Sequence, residues 1–148
     1  MEPGTRFSPV IDDTVASKST IKRVVMLSGK FYYDLLKERT AKGLADEVAL
    51  VRVEELSPFP FSELREILQT YPSDVEYVWA QEEPRNQGAW THVQERINNV
   101  LSEVGMVGSR VQYVGRRESA LPAPGVGILY QAQQKQAIAD VFTFPLRR

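Results

Sequence analysis

Short apolar runs alternate with amphipathic stretches along most of this chain. Runs of this kind, bounded by turn residues, predict buried strands at residues 24–27, 48–53, 75–80 and 111–114. Apolar positions that recur every three or four residues predict helices beginning near Tyr32, Ser62 and Trp90, and a last one around Ala137. Gly43 and Gly105 follow the first and third of these patterns and predict the ends of those helices.

Strands that alternate with helices need crossover connections, which place parallel strands side by side. The pattern therefore predicts an α/β fold with three layers, a mostly parallel sheet covered by helices on both faces. Residues 1–20 lack periodicity and are rich in Pro, Gly, Ser, Thr and Asp, so we expect an extended lead-in or interdomain linker, with a short anchor at Phe7, Val10 and Ile11. Residues 21–144 are expected to form the α/β domain, and residues 145–148 a short tail.

The segment between the second strand and the second helix carries two prolines, Pro58 and Pro60, which favour a loop. Ser62 is a favourable helix N-cap after it. Phe59 and Phe61 have two equal interpretations, an exposed interaction patch or a lid folded back on the core.

Composition excludes several kinds of site. The 148 residues contain no cysteine and a single histidine, His92, so thiolate chemistry, disulfides and multi-histidine metal sites are ruled out. A net charge of −1 argues against a nucleic-acid partner and against an acidic membrane surface. No apolar run approaches the roughly 20 residues of a membrane span, and no targeting segment is recognisable at the start.

Polar residues follow each predicted strand, where ligands of parallel sheets usually bind. These segments are Ser28-Gly29-Lys30, Glu54-Glu55, Gln81-Glu82-Glu83 and Gly115-Arg116-Arg117. Their convergence predicts the position of a site without naming its chemistry.

Each local signal has a structural alternative. Ser28-Gly29-Lys30 is either a plain turn or an anion site at a helix N-terminus. Arg52, Arg116 and Arg117 form either an anion clamp or a network with nearby glutamates, and the network is favoured. Adjacent Glu82 and Glu83 point to opposite faces of a strand, which favours capping, an ion pair or loop support over paired acid–base catalysis. His92 is expected on the surface, and Trp79 and Trp90 in a core or interface. No catalytic constellation is visible.

Several blocks together resemble the C-terminal end of the dehydrogenase component of the 2-oxoglutarate dehydrogenase complex. They are Gly4-Thr5-Arg6-Phe7 with Val10-Ile11, Leu27-Ser28-Gly29-Lys30 with Tyr32-Tyr33-Asp34-Leu35, Val51-Arg52-Val53-Glu54-Glu55-Leu56 with Pro58-Phe59-Pro60, QEEPRNQGAW from Gln81 to Trp90, and Gly115-Arg116 with Ser119-Ala120 and Pro122-Ala123. The resemblance runs from about Gly4 to Phe142, nearly the whole chain.

The resemblance implies a transketolase C-terminal-type fold with a mixed five-stranded sheet. It implies a homodimeric parent that binds thiamine diphosphate and Mg²⁺ in its preceding domains, decarboxylates 2-oxoglutarate or 2-oxoadipate, and acylates the lipoyl group of a partner acyltransferase. This domain itself would then hold no catalytic residue, cofactor or metal. Some bacterial members use this domain to help bind an allosteric nucleotide or acetyl-CoA, for which Ser28, Lys30, Arg52, Gln81 and Arg116 are the candidates in this chain. The parent would lie in the mitochondrial matrix of a eukaryote or the cytoplasm of a bacterium.

Departures from the family pattern refine these expectations. A longer connection at residues 102–109, Pro124 before a glycine and Tyr130 near a usual histidine, together with Phe7-Ser8-Pro9, favour the 2-oxoadipate branch modestly. These departures also weaken the expectation of an inherited nucleotide site. The alternatives are a stand-alone nucleotide- or acyl-CoA-binding module and, less favoured, a small independent enzyme. Met1 is expected to mark a cut between domains, and the isolated chain is expected to self-associate through apolar residues such as Phe7, Phe59, Phe61 and Trp90.

Overall fold

The computed structural model describes residues 7–15 and 17–143. Its middle layer is a five-stranded sheet with the order β1-β3-β2-β4-β5. The strands are β1 (Val10–Ile11), β2 (Arg23–Leu27), β3 (Val48–Val53), β4 (Glu76–Pro84) and β5 (Gln112–Arg116). β2 to β5 run parallel, and β1 pairs antiparallel with β3. The predicted mixed, mostly parallel sheet is confirmed.

Four helices cover the two faces of this sheet among the described residues. They are α1 (Phe31–Lys42), α2 (Phe61–Leu68), α3 (Trp90–Glu103) and α4 (Gly127–Val141), and a short 3-10 helix spans Lys18–Thr20. Leu64 of α2 and Ile97 of α3 belong to one core, whereas Leu35 of α1 and Val141 of α4 belong to the other. The predicted three-layer arrangement follows from these two cores. None of the described helices is long and apolar enough to cross a membrane.

The continuous apolar runs reflect burial of the sheet on both faces. Successive strand residues point to opposite sides, so Val24 and Met26 enter the α2/α3 core while Val25 and Leu27 enter the α1/α4 core. Central parallel strands covered on both faces therefore carry no polar alternation.

Helix ends agree with the sequence in two places and differ in one. Gly43 and Gly105 have φ values of 66° and 81°, and their left-handed backbone ends α1 and α3 as predicted. The prediction of Ser62 as an N-cap is wrong, because α2 begins at Phe61 with Pro60 as its cap. The Pro60 carbonyl accepts the first helical bond, from the Leu64 amide at 3.0 Å, which places Ser62 inside the first turn.

The first twenty residues are only partly described, and their described part is not simply extended. The predicted anchor at Val10 and Ile11 is strand β1, with Val10 buried, whereas Phe7 is 64% exposed. The domain boundary at residue 21 and the tail stay predictions, since residues 1–6, 16 and 144–148 lie outside the described part.

Candidate functional site

All five candidate residues lie where strands end, but the sheet separates them. Ser28 and Lys30 follow β2, and Arg52, Gln81 and Arg116 lie near the carboxyl ends of β3, β4 and β5. Gln81 shares the α2/α3 side with Trp79, whereas Arg116 contacts Tyr130 and Gln134 of α4 on the opposite side. The structure therefore does not gather the five side chains into one pocket.

Gln81 is a buried hydrogen-bond centre. Its Oε1 accepts from the Trp79 indole at 3.0 Å and from the Trp90 amide at 3.0 Å. Its Nε2 faces the carbonyls of Glu83, Pro84 and Gln87, at 3.3, 3.2 and 2.7 Å. This one amide joins the end of β4, the following turn and the start of α3, so its polar atoms are already occupied within the domain.

An open cleft of about 500 Å³ lies over this amide at the carboxyl edge of the sheet. Ser28 and Gln81 are on its wall, together with Phe31, Leu56, Ser57, Trp79, Glu82, Glu83, Gly88, Ala89 and His92. The cleft sits where parallel sheets commonly bind ligands. Its position agrees with the topological prediction of a site at this edge.

A chain of polar contacts links three of the strand ends on the α1/α4 side. The Lys30 ammonium lies 3.7 Å from the Glu82 carboxylate, which accepts from Gln134 Nε2 at 2.8 Å. Gln134 Oε1 in turn accepts from Arg116 Nη2 at 2.9 Å. Glu82 thus supports the interstrand network, one of the roles expected for it, and its neighbour Glu83 contributes its carbonyl to Gln81 and Tyr113.

Arg116 is the most enclosed cation of this network, with 7% of its surface exposed. Its guanidinium lies 4.4 Å from the centroid of the Tyr130 ring, and its Nε is buried with no hydrogen-bond partner among the described residues. Arg52 bonds to Glu54 at 2.7 Å and lies over Tyr32, while Arg117 is exposed. Of the three arginines, Arg52 pairs with a nearby glutamate as the network interpretation expects, whereas Arg116 contacts a glutamine and a tyrosine ring.

Two partners in this region were missed by the sequence interpretation. Gln134 bridges Glu82 and Arg116, and Tyr130 stacks on Arg116, yet both lie on α4, whose pattern was read only from Ala137 onward. Tyr130 and Gln134 are one helical turn apart, and that spacing places both on the same helix face. This was the signal that could have identified them.

The structure decides between the interpretations that the sequence left open for Phe59 and Phe61, and it corrects the one for His92. His92 is half-buried rather than on the open surface, because its Nε2 contacts the Leu56 carbonyl at 2.8 Å and ties α3 to the loop after β3. Phe59 is buried and Phe61 is 37% exposed, with their rings in edge contact 4.9 Å apart. The lid interpretation describes Phe59, whereas Phe61 stays partly open to solvent.

A second depression, of about 940 Å³, runs between β5 and α4. Its walls include the strand residues Tyr113 and Gly115 and the exposed side chain of Leu121. β5 is an edge strand, and no other strand among the described residues pairs with its outer side.

Gly115 of β5 occupies a position that has no room for a side chain. An added Cβ would lie 2.7 Å from the Gln81 carbonyl and closer still to the Tyr113 hydroxyl. We expect Gly115→Ala to destabilise the domain by about 2 kcal/mol, the range of a forced insertion into packed structure. Urea denaturation measures it, and Gly125→Ala, with nothing within 4 Å of its added Cβ, is the matched control.

Two buried tyrosines, Tyr71 and Tyr77, and the half-buried Tyr113 predict sensitivity to alkaline pH. Burial raises the pKa of Tyr77 to about 12, helped by the charge of Asp74. Burial likewise raises the pKa of Tyr71, which also bonds to Asp12, and that of Tyr113, which lies near Glu83. The folded state therefore holds these protons more tightly, and its stability is complete below the ordinary tyrosine pKa of about 10 and lost as pH rises above it.

We expect the free energy of unfolding, measured by urea denaturation, to fall steeply between about pH 10 and pH 12. Each such tyrosine should contribute up to about 1.4 kcal/mol per pH unit to this fall. Tyr77→Phe should make this decline shallower, while Tyr33→Phe, at a ring that is 63% exposed, should leave the slope unchanged. If stability fell with pH at the same rate in the unmodified chain, in Tyr77→Phe and in Tyr33→Phe, the loss could not be assigned to Tyr77.

The match to protein families covers nearly the whole chain. The family described as 2-oxoglutarate dehydrogenase C-terminal matches residues 1–142. The probable 2-oxoadipate dehydrogenase complex component E1 homolog of Dictyostelium discoideum is 37% identical over 146 residues, which are 97% of this chain and 16% of that protein. The mitochondrial 2-oxoglutarate dehydrogenase of Caenorhabditis elegans is 41% identical over 147 residues, 97% of this chain and 14% of that protein.

A bacterial relative agrees with this assignment, and a solved structure shares the fold. The 2-oxoglutarate dehydrogenase E1 component of Haemophilus influenzae is 44% identical over 124 residues, 84% of this chain and 13% of that protein. A split-gene transketolase, solved as an inactive tetramer of β subunits, superposes with a TM-score of 0.59 at 19% identity. The superposition covers 100% of this chain and 46% of that one, and it shows the shared fold. The chain spans only about 13–16% of the length of these dehydrogenase relatives. Its sequence places the chain in the family of 2-oxoglutarate dehydrogenase C-terminal domains.

Proposed function

We propose that this chain is the C-terminal, non-catalytic domain of a thiamine-diphosphate-dependent 2-oxo acid dehydrogenase. The observation that carries the proposal is the family match over residues 1–142, joined to relatives that act in 2-oxoglutarate and 2-oxoadipate dehydrogenase complexes. Relatives of both branches align at similar identity, 37% and 41% in the two examples above, so the 2-oxoadipate branch stays a prediction from the departures at Pro124 and Tyr130.

We place the thiamine diphosphate site outside this domain, as the family resemblance implies. Mg²⁺ bound to a diphosphate takes only one or two carboxylates from a protein. Among residues 7–15 and 17–143, no group of three or more His, Cys, Asp or Glu side chains could hold a metal ion without such a ligand. The proposal therefore assigns cofactor binding to other domains of the longer enzyme, and assigns to this domain packing against those domains and against the dimer partner.

The remaining parts of the proposal concern the complex. As an E1 component, the parent would pass its acyl group to a lipoyl group on a partner acyltransferase. A mitochondrial location is proposed for a eukaryotic parent, since one relative is named as mitochondrial, and a cytoplasmic one for a bacterial parent.

The experiment uses an antibody raised against the folded chain to precipitate the native protein from its source. The precipitate should oxidise 2-oxoglutarate or 2-oxoadipate with an artificial electron acceptor, and the rate should depend on added thiamine diphosphate and Mg²⁺. The isolated chain should show no such rate under the same conditions. A precipitate without activity, or an active isolated chain, would show that the proposal is wrong.

A second candidate function is favoured by the cleft of about 500 Å³ at the carboxyl edge of the sheet. In this alternative the chain binds a nucleotide or acyl-CoA at this cleft. Ser28 and Gln81 line the cleft, whereas the other three candidates, Lys30, Arg52 and Arg116, are not among its lining residues. The exposed ammonium of Lys30 is available to an anion, whereas the amide of Gln81 is occupied. Lys30 is thus the more informative residue to test.

Calorimetric titration with AMP and with acetyl-CoA tests this alternative. Saturable binding that Lys30→Ala weakens at least about tenfold, a loss of about 1.4 kcal/mol, would support it. Lys37→Ala, which removes another lysine of α1, is the matched control. Flat titrations with both compounds would eliminate the stand-alone binding module.

A further inference from the structure

The segment that joins the lead-in to the domain is held by two adjacent carboxylates. We call residues 9–15 the latch segment. It contains β1 and then Asp12 and Asp13, which reach partners in the two different helical layers. These contacts distinguish the latch segment from a freely extended linker. Asp12 and Asp13 each have separate partners.

Asp13 fastens the latch segment to β3 and α1. Its Oδ2 accepts from the Leu50 amide at 2.7 Å, and its carboxylate pairs with Arg39. Arg39 also donates to the Val48 carbonyl at 2.9 Å. The Asp13 carboxylate therefore binds a backbone amide on the edge of β3, beyond the point where β1 ends.

Asp12 fastens the same segment on the other side of the sheet. Its Oδ1 accepts from the Tyr71 hydroxyl at 2.7 Å, and its Oδ2 pairs with Lys18. Lys18 in turn donates to Thr70 Oγ1 at 2.6 Å and lies 4.6 Å from the centroid of the Tyr71 ring. Thr70 and Tyr71 follow α2, so the second carboxylate holds the segment to the α2/α3 layer.

The two attachments differ in their expected strength. The Asp13 and Arg39 side chains are only 4% and 8% exposed, whereas those of Asp12 and Lys18 are each 28% exposed. Removing one partner of a buried pair leaves the other charge without compensation, which is far more costly than losing a solvated pair. Asp13 is therefore the residue on which docking of the latch segment depends most.

The start of the latch segment also supports a wall of the cleft. The Pro9 carbonyl accepts from the amides of Glu54 and Glu55, at 2.8 and 3.1 Å. The next two residues, Leu56 and Ser57, line the cleft. Docking of the latch segment thus holds the loop that forms one side of the cleft.

We propose that the latch segment is a conformational device that couples the cleft to the preceding part of the longer enzyme. The coupling to a preceding part rests on the proposed function, while the docking itself concerns this chain alone. When Asp13 is bound, β1 stays on β3 and the Glu54–Ser57 loop keeps its place. When it is released, the edge of β3 and one wall of the cleft open together.

Hydrogen exchange measured by NMR on the isolated chain tests the device. In Asp13→Ala, the amide of Leu50 should exchange at least about 100-fold faster, the factor that corresponds to loss of a buried pair. The amides of Glu54 and Glu55 should also exchange faster, while Val25 and Val78 in the centre of the sheet change much less. Asp46→Ala, which removes an exposed carboxylate from the turn before β3, is the matched control and should change none of these rates.

An engineered crosslink keeps the test decisive if Asp13→Ala does not fold. Ile11 and Arg52 are directly opposite in the antiparallel β1–β3 pair, and the natural chain has no cysteine that could interfere. Ile11→Cys with Arg52→Cys should oxidise to a disulfide and restore slow exchange at Glu54 and Glu55 in the Asp12→Ala or Asp13→Ala background.

Two results would overturn the proposal. One is unchanged exchange at Leu50 in a folded Asp13→Ala chain, and the other is acceleration at Leu50 without any change at Glu54 and Glu55. Both outcomes are independent of thiamine-dependent activity, so failure of the device is distinguishable from failure of the proposed function. The result we expect is faster exchange at all three amides, with slow exchange restored by the crosslink at Glu54 and Glu55 but not at Leu50, whose acceptor is the Asp13 carboxylate itself.

Discussion

Replacement of Gln81 by leucine is expected to lower the free energy of unfolding by about 4 kcal/mol, although the two side chains have similar size. The loss follows from the groups that Gln81 leaves behind. The Trp79 indole and the Trp90 amide are buried and would lose their acceptor, and three carbonyls would lose a donor. Each buried donor without a partner costs about 1–3 kcal/mol.

Urea denaturation followed by tryptophan fluorescence measures this loss, since both indoles lie next to the change. Gln131→Leu is the matched control, because Gln131 is exposed on α4 and its replacement should alter stability by less than about 0.5 kcal/mol. A Gln81→Leu midpoint close to that of the control would show that water, or a shift of the turn after β4, replaces the amide.

Arg23→Leu is expected to cause a loss of similar size, about 4 kcal/mol. Arg23 is fully buried at the start of β2. Its guanidinium bonds to the Glu76 carboxylate at 2.9 and 2.5 Å and donates to the Val141 carbonyl at 2.5 Å. The substitution removes the side-chain link between β2 and the neighbouring strand β4, and it leaves a carbonyl at the end of α4 without this donor.

The adjacent lysine provides the comparison for Arg23. Lys22 bonds to Glu47 at 2.7 Å, but its side chain is 64% exposed. Lys22→Leu should therefore cost less than about 1 kcal/mol, as solvated ion pairs do. Equal losses for Lys22→Leu and Arg23→Leu in urea denaturation would show that burial does not set the strength of these pairs. Faster amide exchange near Phe142 in Arg23→Leu alone would locate the damage at the end of α4.

The fold was predictable because its strongest determinants are local. Residues 48–53 were predicted as a strand and form one with the same bounds, since a short run rich in β-branched residues favours a buried strand. Gly43 and Gly105 marked helix ends because few other residues adopt a positive φ without strain. β1 was harder to predict, because a two-residue strand has no periodicity and depends on the edge of β3 for its existence.

The site was predictable only in position. Parallel topology brings the strand ends to one edge, which located Ser28 and Gln81 on the same cleft. It does not say which face a side chain takes, so the separation of Gln81 from Arg116 by the sheet was not foreseen. The hydrogen bonding of Gln81 could not be predicted either. Three of its partners are backbone carbonyls, which every residue has, so the sequence does not indicate them.

The burial of charged side chains was the feature hardest to predict from the sequence. Arg23 directly precedes a predicted apolar strand, and nothing in its neighbourhood distinguishes it from the exposed Lys22. Its partners, Glu76 and Val141, are 53 and 118 residues away, so the pairing exists only once β2, β4 and α4 have assembled. Asp13 and Arg39 are 26 residues apart and became recognisable as partners for the same reason.

The unequal edges of the sheet limit how copies of this domain can aggregate. On one side the edge strand is β1, which has only two residues, and the Asp13 carboxylate occupies the Leu50 amide of β3, so very little unpaired backbone remains for a foreign strand. On the other side, no described strand pairs with the outer edge of β5. A sheet that can be extended from one side only permits pairing of two copies but does not template a growing fibril, which requires both sides. Loss of Asp13 would remove that restriction, and slow fibril formation would then become accessible to concentrated solutions of the variant.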